Sequence, residues 1–317
     1  MYVHPSKRLR VSQVKPVTLG RYTQAVHNLE QWALKRRRSL SFRQADSNIV
    51  LYLHELCELG HSLVEARSVV YGFIMLRMVS DGPERFLLSQ SKSALKGWAT
   101  RFPIHSKSGV DLSIWDVIAY DCIQHKDPLV GAAILLQGDL YLRPNELLKL
   151  QRKSVLQPSK ARSRFWGVVV GLQENKHATK TGTFDDCILL DTPSRTDLAL
   201  VLKFLFKRCS SENDLLFGGL TLKAYNVALT QSCERLGLAQ LHLTPHCLRH
   251  SGPSSDCYHK VRTLEEIQQR GRWRALSSVA QYKKPGRMLL THQKIPPALW
   301  KRTRSARAKA LDSFRLT

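Results

Sequence analysis

The chain lacks any CxxC pair and any apolar run near the roughly 20 residues that span a bilayer. It is also poor in acid, with 25 Asp and Glu against 49 Lys and Arg among 317 residues, a formal charge of +24. The first absence argues against a zinc ribbon or a redox dithiol, and the odd count of seven scattered cysteines argues against a secreted disulfide framework. The second excludes a helical membrane span, and MYVHPSKRLR carries no apolar leader core, so no membrane partner is expected. The shortage of acid points to a polyanionic partner, and double-stranded DNA fits better than an acidic protein. The expected location is nuclear in a eukaryote, or cytoplasmic and nucleoid-associated in a bacterium. Hydrophobic residues make up 43% of the chain, enough for two domains with cores of their own.

Along the chain, 1–17 reads as a basic arm. The segment 18–103 reads as a helical bundle, opening with Tyr22, Val26, Leu29, Trp32 and Ala33 at helical spacing. The first helix ends in Lys35, Arg36, Arg37 and Arg38, candidate phosphate contacts. Further helices are predicted at 47–59, 63–79 and 85–101. The middle one is apolar nearly all round and is expected to be buried at the centre of the bundle. Residues 104–113 carry no period and read as a linker. Helices dominate 114–290, interrupted by two strands, 164–172 and 187–191, which flank a polar, lysine-rich connection. Residues 291–317 read as a basic tail, either a basic helix or a solvated arm. The class is therefore mainly α with a small antiparallel β-sheet.

Breaking a phosphodiester without a metal requires a nucleophile, a proton donor for the leaving hydroxyl, and cations for the charge that gathers on the non-bridging oxygens. Arginine suits the last task because its planar fork grips two oxygens and keeps its proton. The chain supplies such a set in order: LRPNEL at 142–147, TKTG at 179–182, TPHCLRH at 244–250, GRW at 271–273 and Tyr282. HxxR alone is weak, since His259 with Arg262 forms a second match and the chain holds 12 histidines. Order and spacing favour His246 with Arg249. Lys176 competes with Lys180 on the same hairpin. His246 and His250, four apart, could in principle share a metal, but no CxxC accompanies them, and no metal is expected.

In these boxes the sequence resembles the tyrosine recombinase (phage integrase) family over roughly 110–290, and 18–103 looks like that family's core-binding domain. The resemblance implies a catalytic domain at 114–290 that cuts and rejoins DNA through a 3′-phosphotyrosyl ester on Tyr282, with no cofactor, metal or ATP. It implies that Arg143 and Arg249 clamp the scissile phosphate and that Lys180 protonates the leaving oxygen. His246 would assist proton transfer, Trp273 would donate a hydrogen bond where many members carry histidine, and Glu146 would orient the arginine or the histidine. It further implies a mobile-element integrase, acting as a tetramer on paired sites and exchanging a C-terminal segment. Three positions depart from the pattern. Tyr141 stands where the family usually has glycine, Pro144 follows the arginine directly, and Gly252-Pro253 is expected to bend the helix behind Arg249. These departures leave two alternatives, a silent DNA-binding protein of the same fold and a type IB topoisomerase-like enzyme.

Overall fold

Helix forms wherever apolar side chains recur at 3.6-residue spacing, and in the computed structural model the chain divides into two units, Met1–Ser106 and Lys107–Thr317. The structure describes residues 14–80 (backbone only from 77), 87–102, 109–159, 163–175 and 183–315. The expected basic arm lies mostly outside them.

The first unit is a bundle of α1 (Pro16–Lys35), α2 (Ala45–Glu58), α3 (Leu63–Ser80) and α4 (Ser89–Arg101). Pro16 opens α1 at a position where the missing N–H has no helical partner to lose. The core is built from Leu29, Ile49, Leu53, Val70 and Phe73, all essentially inaccessible. α3 is not buried all round, as its composition suggests. Its neighbours cover one side, which leaves Val64 at 50% and Tyr71 at 45% exposure on the other.

The second unit is built on α5 (Leu112–Gln124) and α6 (Pro128–Asp139), both buried over most of their length. Asp111 caps α5 by accepting the Ser113 N–H. A short helix α7 (Pro144–Leu147) leads to an antiparallel sheet in the order β1 (Val155–Leu156), β2 (Gly167–Val170) and β3 (Asp186–Leu189), with Val168 opposite both Val155 and Ile188. At two residues, β1 is too short to leave an alternating pattern in the sequence. The remaining helices are α8 (Ala199–Lys207), α9 (Leu222–Arg235), α10 (Pro245–Tyr258), α11 (Leu264–Gly271), α12 (Gly286–His292) and α13 (Pro297–Arg315).

Two boundaries differ from the sequence reading. Residues 109–113, expected in the linker, belong to the second unit. The Val110 N–H donates to Ser251 Oγ at 2.9 Å and the Leu112 N–H to Ser255 Oγ at 3.1 Å, so serines of α10 satisfy a backbone that has no local partners. Of the two readings of the basic tail the structure has the helix, packed into the second unit rather than standing apart from it. α13 lies against α5 with Leu299, Ala306, Ala310, Leu311 and Phe314 buried, and the Phe314 ring is 5.1 Å from that of Phe204. Its arginines and lysines occupy the outer face and hide the stripe from composition.

Candidate active site

Three unusual backbone positions set the site, and each of the departures noted in the sequence has a local reason. Pro144 is the first residue of α7, with Arg143 as the N-cap, the one place in a helix where proline costs nothing. Glu146 reaches back from the third position to accept the Arg143 N–H at 2.9 Å. Tyr141 is fully buried with φ +50°, the left-handed region that glycine enters freely, and its hydroxyl donates to Asp256 at 2.5 Å. That buried hydrogen bond offsets the strain. The Tyr141 ring and the Gly138 carbonyl press against α10 at Gly252, where a methyl group would run into both. Gly252 is therefore the counterpart of Tyr141. α10 continues through Pro253 without a break, contrary to the expected bend.

Behind these contacts lies a chain of alternating charge. Arg195 pairs with Asp116 at 2.9 Å and with Asp139 at 3.6 Å, and Arg270 joins Asp139 at 3.0 Å to Asp191 at 2.9 Å. Arg262 joins Asp191 at 2.8 Å to Asp256 at 3.1 Å. The second HxxR match is thus consumed in structure: Arg262 sits in this chain, and His259 Nε2 lies 2.6 Å from Asp111.

The other side chains gather around Arg249, which is 3% exposed. Its guanidinium donates to the Tyr141 carbonyl and, at 2.5 Å, to the Gly271 carbonyl. It lies 4.7 Å over the Trp273 ring, and its Nη1 is 3.9 Å from Glu146. Gly271 has no alternative, since a Cβ there would overlap the Trp273 ring. Trp273 in turn packs 5.7 Å from Tyr282, which rides on the short turn Ala280–Lys283. The Tyr282 hydroxyl is 2.9 Å from His250 Nδ1, and the His250 and His246 rings meet edge to face at 5.3 Å. Glu146 receives Arg143 Nη1 at 2.5 Å on one oxygen and Arg272 Nη2 at 2.6 Å on the other.

Burial controls the protonation states. It pushes the Tyr282 hydroxyl up to about 12 against the opposing pull of Arg249. Burial, with His246 and Arg249 nearby, brings His250 down to about 4. At neutral pH the tyrosine therefore keeps its proton and the imidazole is uncharged, able to accept one. Burial and then repulsion from Arg143 and Arg272 lower Arg249 to about 9. Burial would raise the Glu146 carboxyl, but Arg272 and Arg143 outweigh it and hold it ionised. The result is a buried, cation-rich cluster with a protonated phenol packed against it.

No family model matches the chain, and no curated protein matches it. Solved structures do. The XerH site-specific recombinase bound to difH substrate, in a pre-cleavage complex, gives a TM-score of 0.50 at 16% identity over 76% of this chain and 68% of that one. A post-cleavage complex of XerH on a palindromic difH substrate gives 0.51 at 14% identity, over 78% and 70%. The chain has the tyrosine recombinase fold.

Within this recombinase fold, Arg143, Glu146, His246, Arg249, Trp273 and Tyr282 fall in one cluster, although more than 130 residues separate its ends. Lys180, with its competitor Lys176, lies outside the described residues. Lys35, Arg36, Arg37 and Arg38 are exposed in the first unit, where Arg36 pairs with Glu55 at 2.7 Å and Arg38 donates to Asn48 at 3.1 Å. Two members of the cluster escaped the sequence reading. His250 stands within hydrogen-bond reach of the tyrosine; the HCLRH box held it, yet only a metal pairing drew notice to it. Arg272 stood unremarked inside GRW.

Proposed function

We propose that the chain is a site-specific DNA recombinase that cleaves and rejoins duplex DNA through a 3′-phosphotyrosyl bond to Tyr282. The observation that carries this reading is the Tyr282 hydroxyl held 2.9 Å from an uncharged imidazole beside the buried guanidinium of Arg249. The formal charge of +24 supports a DNA partner, as do the DNA substrates in the XerH structures.

In the reaction, Tyr282 Oη forms a bond to phosphorus as the P–O5′ bond breaks. The phenolic proton passes to His250 Nδ1, and the leaving 5′ oxygen takes a proton from Lys180, the role the family resemblance gives it. Arg143 and Arg249 neutralise the non-bridging oxygens. With Tyr282 near 12 and His250 near 4, proton transfer ahead of attack would cost on the order of 10 kcal/mol. Transfer must accompany P–O bond formation, which removes the basicity of the phenolic oxygen. Rejoining runs the same steps in reverse and needs no external energy source.

A nicked suicide duplex carrying the chain's target, found by selection from a random library, is expected to trap a covalent adduct. Tyr282→Phe should give none, and an adduct that survives this change rules the reading out. The chain acts as a tetramer on paired sites of a mobile element. Size-exclusion chromatography of the DNA complex should show four copies; a complex that remains monomeric at saturation counts against this assembly.

A further inference from the structure

We infer that Arg272 is a positioning residue that sets the working charge of the phosphate site by occupying one oxygen of Glu146, keeping that carboxylate from closing onto Arg249 beyond their 3.9 Å approach. This role rests on the cleavage reading above. Three guanidiniums, those of Arg143, Arg249 and Arg272, face the single carboxylate of Glu146 in a cluster where each side chain is 17% exposed or less. Against Glu146 alone the three leave two positive charges, one of them partly offset by Asp186, and a phosphodiester gaining negative charge on its way to the transition state would meet this excess. Asp186 lies 3.8 Å from Arg272 Nε, on the far edge and 26% exposed, and also accepts from Thr183 at 2.7 Å.

The division of the Glu146 carboxylate is specific. One oxygen takes Arg143 at 2.5 Å, the other takes Arg272 at 2.6 Å, and Arg249 waits at 3.9 Å from that second oxygen. That second oxygen also accepts the Arg143 N–H at 2.9 Å, so removing Arg272 would leave it anchored by the backbone alone and open to a closer pairing with Arg249. The local structure holds Arg272 in this place at a conformational cost. It sits at φ +57°, ψ +42°, a left-handed helix end where a side chain is strained. Its side chain is 6% exposed, and its buried Nε has no hydrogen-bond partner among the described residues, with Asp186 3.8 Å away. A helix end alone would be served better by glycine, so the strained backbone marks a side chain kept for its charge at Glu146.

The test is a charge cycle in the full chain, read as single-turnover adduct formation on the suicide duplex with Tyr282→Phe as blank. Arg272→Gln leaves Glu146 and two arginines, one positive charge fewer, and is expected to slow cleavage about 100-fold with duplex affinity unchanged within about threefold. Arg272→Gln with Glu146→Gln restores the charge and should regain at least about tenfold, against the usual result that two lesions in one site compound. Arg272→Lys should stay within about tenfold of wild type. A methylphosphonate at the scissile position carries no charge to neutralise, so the Arg272→Gln defect should shrink to about tenfold or less on that substrate; an unfolded variant would cleave neither. A double variant no faster than the single one, or an equal defect on both substrates, overturns the role while leaving the cleavage reading intact. A wild-type chain that forms no adduct overturns both.

Discussion

His250→Asn is expected to slow formation of the covalent adduct by about 10²–10⁴-fold, the range that loss of a positioned general base produces, while duplex binding stays close to wild type. His246→Asn should cost less, because the Tyr282 hydroxyl lies 2.9 Å from His250 Nδ1 and His246 packs against the His250 ring. Burst-free single-turnover rates on the suicide duplex measure both, and a larger defect at His246 would reverse the assignment. The same imidazole makes stability depend on pH. Its ordinary value is 6.5 and the fold lowers it to about 4, so the folded chain favours the neutral form and acid favours the unfolded one. Its contribution is complete above 6.5 and lost as pH falls from there towards about 4, a window worth up to about 3 kcal/mol. Urea unfolding at pH 7.5 and pH 4 should therefore show wild type losing up to about 3 kcal/mol more than His250→Asn. Parallel losses would mean that the imidazole is not held neutral.

The second large effect is structural. Gly252→Ala should cost about 3 kcal/mol or more, enough to deplete soluble folded protein, because the added methyl meets the Gly138 carbonyl and the Tyr141 ring, neither of which is a flexible chain end. Soluble yield and urea midpoint read it, and a midpoint near wild type would show that α10 can lift away from Tyr141. Tyr141→Phe should be milder, about 1–3 kcal/mol, since it keeps the ring but leaves Asp256 short of a donor. This pairing bears on whether the chain still cuts. Tyr141, Pro144 and Gly252-Pro253 suggested a silent DNA-binding protein as long as they stood as separate lesions in a pattern. In the structure Pro144 sits in a first turn and Tyr141 and Gly252 fit each other, leaving Arg143 and Arg249 on supported backbone.

Much of the fold was legible because its signals are local. Helix faces such as Val26, Leu29 and Ala33 follow a period, and the β-branched run at Val168–Val170 stands out against polar flanks. The cluster was legible through order: no single box was specific, but Arg143, His246, Arg249, Trp273 and Tyr282 in sequence were. What stayed hidden depends on partners far along the chain. The segment at Val110–Leu112 is satisfied by Ser251 and Ser255, some 140 positions away, and no window of sequence can see that. Arg272 acquires meaning only from a left-handed backbone and from Glu146, 126 residues upstream. His250 and His246 occupy the same box one helical turn apart, and only the packing of Tyr282 chooses between them.

The docking of α13 has a consequence for how copies of the chain could join. A loose tail would bind a neighbour by simple addition, at a rate set by encounter. A helix that already fills its own core with Leu299, Leu311 and Phe314 can be shared only by leaving that core first, opening apolar surface until another copy of the same helix arrives. The exchange is nearly neutral in free energy once complete, since each seat is refilled by an identical occupant, but the way there crosses a partly unfolded state. Association through α13 would then be governed by the lifetime of the closed single chain, slow to begin and slow to reverse, with temperature a stronger control than concentration.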